Sequence, residues 1–210
     1  MMRAVFPAVS RREDLVDRAG VLARRCPVPR SPGVCAWYFA DIPPIIDTST
    51  CLRVDGLTLL YVGACPEEPP TDGRATSLST LRRRLQTDYA GNAAASNLRE
   101  MLGCLLADAL RISLRRVGAG NRYTFTDAGE KVLDRWMAEN AFVTWRKSDA
   151  PWELGEAILR SNQSIPLNVR DIPHLQERMA LQMVMQEAIR RANSLPIVTD
   201  SGGARPALSD

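Results

Sequence analysis

The 210-residue sequence predicts an α+β domain. Three observations carry that expectation. Hydrophobic residues make up 45% and charged residues 24%, a globular composition able to bury a core. The short runs VCAWYF (34–39), LTLLYVG (57–63) and AFVTWRK (141–147) are dense in branched and aromatic residues and read as strands. Longer segments carry apolar residues at helical spacing, and mixed strands and helices of this kind make an α+β fold.

The elements follow in order. Residues 10–25 read as a short helix, with Ser10 as cap and Leu15, Ala19 and Leu22 on one face. CPVPRSPG (26–33) is proline-rich punctuation and marks the end of an N-terminal extension, 1–31. The strand at 34–39 is followed by a loop-like stretch, 41–56, then the strand at 57–63. CPEEPPTDGR (65–74) holds too many prolines for regular structure. Thr76 or Ser77 opens a helix with Leu78, Leu81 and Leu85 as its stripe. Ser96 caps a second helix, 96–110, whose Leu98, Met101, Leu102, Leu105 and Leu106 face inward. SLRRV (113–117) and RYTF (122–125) form strands around the turn GAGN, and a helix runs from Asp127 to about Glu139. After the strand 141–147, Pro151 suits the first turn of a helix, 151–162. IPLNV (165–169) reads as extended. The last element is an amphipathic helix, 174–194, carrying Leu175, Met179, Met183, Met185 and Ile189. Residues 199–210 are expected to be a frayed tail.

Scarcity excludes several chemistries. The sole histidine, His174, rules out a metal site with two histidine ligands and leaves a Ser-His-Asp or Cys-His arrangement only one route. Cys26, Cys35, Cys51, Cys65 and Cys104 contain no CxxC pair, which removes a zinc ribbon and suits reduced thiols in the cytoplasm. The N-terminus lacks a signal-peptide run, and no stretch approaches a membrane span.

Two strings on the early strands carry a resemblance. Gly33-Val34-Cys35 is followed, 28 residues after Gly33, by Tyr61-Val62-Gly63. Downstream come Arg84 in LRRRL (81–85), Glu156, and Asn168 in Pro166-Leu167-Asn168, with Glu156 and Asn168 12 residues apart. In this order, and with YAGN (89–92), LGCLL (102–106) and PWEL between them, residues 32–170 resemble the GIY-YIG nuclease superfamily, in particular small stand-alone bacterial proteins of that group. The resemblance implies a GIY-YIG-like domain over 32–170, with a small, mostly antiparallel central sheet flanked by helices. A basic helical extension (1–31) and a C-terminal helix with its tail (171–210) complete the chain. It also implies a metal-dependent endonuclease acting on nucleic acid, with DNA expected. Tyr61 would activate or position the attacking water, Arg84 would meet phosphate charge, and Asn168 would brace the site. Glu156 would hold one Mg²⁺ or Mn²⁺.

Residue chemistry is compatible with these roles. Phosphodiester hydrolysis needs a polarising cation, an activator and a positive group for developing charge. A single carboxylate suits Mg²⁺ or Mn²⁺, because hard ions keep most of their waters. At 100° per residue Glu156 lies opposite the apolar Leu154, Ala157 and Ile158 and faces water or a cleft. The bland readings are that Tyr61 is a core residue, that Glu156 and Arg160 form a surface i,i+4 pair, that Arg84 is solvated and that Asn168 caps a turn. Two positions depart from the family pattern. Cys35 stands where a tyrosine is usual. Asp88 shares a helix flank with Arg84, so pairing would neutralise part of its charge and repel phosphate. Reduced activity is expected from both.

A rival reading takes 96–137 as a winged-helix ending, a non-catalytic DNA-binding unit whose wing carries Arg115, Arg116 and Arg122. The C-terminal helix either packs on the core or offers a dimer surface. The net charge of +3 is uneven: residues 1–31 carry seven arginines against three acids, whereas 32–170 balance. Arg82, Arg83, Arg115, Arg116 and Arg122 are therefore the candidate phosphate contacts within the domain, with the extension as a possible clamp.

Overall fold

The computed structural model describes residues 11–66, 79–118, 120, 122–160, 164–168 and 175–199, with side chains of the last helix from Arg178 onward. Ser10, Thr76, Ser77, Leu78, Val169, His174 and the side chain of Leu175 lie outside these residues.

Four strands make one sheet: β1 (Gly33–Phe39), β2 (Arg53–Val54), β3 (Leu57–Cys65) and β6 (Ala141–Lys147). Their order is β2-β3-β1-β6 and every pairing is antiparallel. A separate hairpin joins β4 (Arg115–Val117) to β5 (Arg122–Thr124). Among the described residues seven helices accompany the strands: α1 (Arg18–Leu22), α2 (Leu81–Ala90), α3 (Asn97–Leu105), α4 (Ala107–Leu110), α5 (Thr126–Asn140), α6 (Pro151–Leu159) and α7 (Leu175–Ser194). This is the α+β arrangement the sequence predicts, a small antiparallel sheet flanked by helices.

β1 lies inside the sheet and is buried along its whole length, as its unbroken apolar run requires. One face of it, Cys35, Trp37 and Phe39, packs with Leu81 and Leu85 of α2, Leu98 and Leu102 of α3 and Leu133 of α5. The other face, Val34, Ala36 and Tyr38, packs with Ile158 of α6 and with Ile165. The sheet thus separates α2, α3 and α5 from α6. Gly33 opens β1 where no side chain fits: a Cβ there would overlap the carbonyl oxygen of Arg146 and come within 2.6 Å of Leu81 Cδ1.

Several local expectations change. Residues 10–25 do not form one helix. A 3₁₀ turn, Arg12–Asp14, is followed by extended Leu15, and Val16 then exchanges two 2.9 Å backbone hydrogen bonds with Val143 before α1 begins. Sheet pairing outweighs weak local helicity there. The helix expected from Thr76 or Ser77 begins at Leu81, because Thr80 is extended and caps it by accepting from the Arg83 amide. Ser96 caps α3 as expected, accepting from the Arg99 amide. The stretch 41–56 contains β2, too short to leave a pattern. Residues 165–168 form a turn rather than an extended run, closed by Asn168 N to Ile165 O at 3.0 Å. On α7 the inward side is Leu181, Val184, Met185, Ala188, Ile189 and Ala192, while Met179 and Met183 are exposed.

Candidate active site

β3 begins with Leu57 and Leu59 on the α6 side of the sheet. Strict alternation would send Tyr61 to that side as well. It does not, because the β1–β3 register slips between Trp37/Tyr61 and Tyr38/Leu59, leaving Leu60 as an extra residue. This bulge places both Leu60 and Tyr61 on the face occupied by α2. Gly63 supplies the room Tyr61 needs: a Cβ at that position would lie 3.2 Å from Tyr61 Cε1 and 3.3 Å from Cys35 Sγ.

On α2, Leu81 and Leu85 point into the core and Arg84 follows on the adjoining flank. Its Nη2 donates to the Tyr61 hydroxyl oxygen at 3.3 Å, and its Nε donates to Asp88 Oδ2 at 3.1 Å. Asp88 is fully buried, and its Oδ1 accepts from the Ser96 hydroxyl at 2.7 Å. Asp88 also raises the pKa of Arg84, ahead of the opposing effect of burial, so the guanidinium stays charged. Opposite Gly63, the Cys35 thiol donates to the Gly63 carbonyl at 3.5 Å. Burial, reinforced by Asp88, pushes this thiol up to about 12, so it is neutral and no nucleophile.

Beyond Leu59 the outer edge of β3 has no strand partner among the described residues. The turn 165–168 takes that place. Leu167 N donates to Leu60 O at 2.9 Å. The Asn168 amide closes on Val62, accepting from its N–H at 2.9 Å and donating to its C=O at 2.8 Å. These bonds bracket Tyr61 and satisfy backbone groups that the edge of β3 would otherwise leave open.

Glu156 stands apart. α6 packs on the other face of the sheet, with Gly155 against Ala64. Glu156 turns outward with 59% of its side chain exposed and bonds Arg160 at 2.9 Å. It lies across the sheet from Tyr61 and Arg84, and among the described residues no three potential ligands gather into a cluster. One exposed carboxylate does not make a preformed metal cage. It does fit a hard cation that keeps its waters and shares them with a phosphate.

The remaining arginines divide. Arg82 donates Nε to Val28 O at 2.7 Å and Nη2 to Cys26 O at 3.2 Å, holding the proline-rich segment on α2. These donors brace the chain instead of facing a phosphate. Arg83 and Arg122 are exposed, and Arg116 is half-buried. Arg115 donates to the Pro196 carbonyl at 3.0 Å, and the Tyr123 hydroxyl to Asn193 at 2.9 Å. The β4–β5 hairpin is therefore docked on the C-terminal helix, where a winged-helix reading needs it to project. A shallow cleft of about 800 Å³ between Arg11, Arg12, Asp55 and Phe142 contains none of the candidate catalytic residues.

One part of the architecture left no trace in the sequence. Arg99 is fully buried and meets Glu130 at 2.7 Å, Asp134 at 2.9 Å and the Asp88 carbonyl at 3.2 Å. Asp134 in turn binds Arg18 at 3.2 Å. Glu130 also accepts from the amides of Ala93 and Phe125. This buried network ties α1, α2, α3 and α5 together behind Arg84. The only hint was a set of charges on helices otherwise reading as amphipathic.

A family model described as the GIY-YIG catalytic domain matches residues 33–190, from the first residue of β1 into α7. No curated protein and no solved structure matches the chain.

Proposed function

The chain belongs to the GIY-YIG catalytic-domain family, and on that premise we propose that it is a divalent-metal-dependent endonuclease acting on DNA. The observation that carries the reading is the chain from Asp88 through Arg84 to Tyr61. A guanidinium donating to the phenol oxygen stabilises negative charge there, so Tyr61 can align an attacking water as a phenol or, once its own proton has passed to solvent, accept that water's proton as a phenolate. The other edge of the fork can meet phosphate oxygens, where preorganised positive charge lowers a barrier most. Asn168 keeps the Tyr61 backbone in register. Glu156 is the residue to hold Mg²⁺ or Mn²⁺, which when bound would polarise the phosphate.

Arg83, Arg116 and Arg122 are the proposed backbone contacts, and Arg82 and Arg115 are withdrawn from that set because of their bonds to main-chain carbonyls. Segment 1–31 is proposed as a basic clamp beside the 32–170 domain, and 171–210 as a C-terminal unit with a possible self-association surface at the exposed methionines. None of the described helices is long and apolar enough to cross a membrane. The described cysteines are free thiols, which agrees with the proposed cytoplasmic location. Activity is expected below that of relatives with a phenol at position 35, since the Cys35 thiol is buried and neutral.

The test is cleavage of labelled DNA in Mg²⁺ or Mn²⁺ by the wild-type chain, Tyr61→Phe and Arg84→Ala. Loss of the Arg84 donor is expected to lower the rate about 100–1,000-fold, the usual cost of removing one preorganised group. Undiminished cleavage by Arg84→Ala would show that the phosphate is attacked elsewhere.

A further inference from the structure

We propose that Asp88 is the positioning residue of Arg84, converting a mobile surface arginine into one aimed at Tyr61; this rests on the nuclease reading. Arginine at an exposed i,i+4 spacing samples many rotamers, and ordering it costs rotamer freedom. At this site that ordering is done before any nucleic acid arrives.

Each atom of Asp88 that can hold something does so. Oδ2 takes the Arg84 Nε–H at 3.1 Å, and Oδ1 takes the Ser96 hydroxyl at 2.7 Å. Its main-chain carbonyl takes Arg99 Nη1 at 3.2 Å. Two partners therefore fix the carboxylate, Arg84 on α2 and the residue before α3, while the buried arginine network holds the backbone that carries it. With the side chain at 0% exposure, water cannot compete for it. Fixing Nε–H fixes the plane of the guanidinium, and the Nη2 edge then falls on the Tyr61 hydroxyl.

The charge consequence is opposite in sign to the geometric one. A buried acid beside Arg84 weakens its ground-state attraction for phosphate. A group held in place acts on charge that develops later, without reorganising. Asp88 thus gives up some binding in return for turnover. A merely structural aspartate would not separate the two quantities.

The experiment is a double-mutant cycle on cleavage kinetics, with Asp88→Asn, Arg84→Ala and their combination, read beside ¹⁵N relaxation of the Arg84 Nε–H. Asp88→Asn should lower kcat about 10–100-fold while KM stays level or falls, because only alignment is lost. In the Arg84→Ala background the same change should do nothing more, since Asp88 acts through Arg84. The Arg84 Nε–H should be rigid in the wild-type chain and mobile in Asp88→Asn. If it stays rigid, or if the two substitutions multiply, the proposal is overturned. If the mobility changes as expected but the wild-type chain cuts nothing, the positioning stands and the nuclease reading fails. Should Asp88→Asn not fold, Ser96→Gly removes the second anchor while sparing most of the helix cap. It should give the same kcat-against-KM split at about 2–5-fold, scaled to one neutral hydrogen bond, and an unchanged kcat would count against the proposal.

Discussion

Arg84–Asp88 on α2 and Arg160–Glu156 on α6 are both arginine–carboxylate pairs at i,i+4, on helices covering opposite faces of one sheet. In the first, the arginine side chain is 16% exposed and the acid is sealed. In the second, the figures are 77% and 59%. The inner pair is held by Ser96, Arg99 and Tyr61 and has one geometry. Among the described residues the outer pair has only itself, and water screens it. Equal spacing therefore gives a fixed device on one face and a removable contact on the other. That division suits the proposed chemistry: the inner face needs a group that does not move, and the outer carboxylate must be free to exchange an arginine for a hydrated cation.

The widest gap between the two faces should appear in stability. Asp88→Ala leaves Arg84 short of its acid and Ser96 without an acceptor, and should cost about 3–5 kcal/mol in a denaturant titration, as breaking a buried pair does. A loss under 1 kcal/mol would mean the inner pair is no better held than the outer one. An intermediate effect belongs to Asn168, which serves the edge between the faces. Asn168→Ala removes both bonds to Val62 and should cost about 1–3 kcal/mol, with faster amide exchange confined to β3 around Tyr61. Exchange changes spread evenly over the sheet would deny it that local role.

How much of this was legible follows from range. β1, β3, β6 and α6 announce themselves in local pattern, because runs such as GVCAWYF and PWELGEAIL decide burial within a few residues. The outward turn of Glu156 was legible for the same reason, since helical geometry places it opposite Ile158. The bulge at Leu60 was not, because LTLLYVG is apolar on both sides of the slip and carries no phase. The depth of Asp88 was also hidden: an Arg–Asp pair at i,i+4 reads the same on a solvated helix as on a buried one. Arg99 and Glu130 carry no signal in the local pattern, because the partners that satisfy them in the core come from α2, the Ala93 turn and the start of α5. The methionines of the last helix left packing and an exposed surface both open, and it is Leu181 and Ala192 that are buried while Met179 and Met183 are exposed. In each case the deciding contact lies far along the chain.

The smallest stability effect makes the sharpest functional test. Glu156→Gln should leave stability within about 0.5 kcal/mol of the wild-type chain, because an exposed pair is worth no more. The same substitution should reduce cleavage of labelled DNA in Mg²⁺ or Mn²⁺ by no less than about 10–100-fold, the cost of losing even a group that supports a metal's ligands. An unchanged melting temperature with lost cleavage is the outcome the two-faced site predicts. Cleavage by Glu156→Gln at the wild-type rate would contradict it and leave the outer pair as surface decoration.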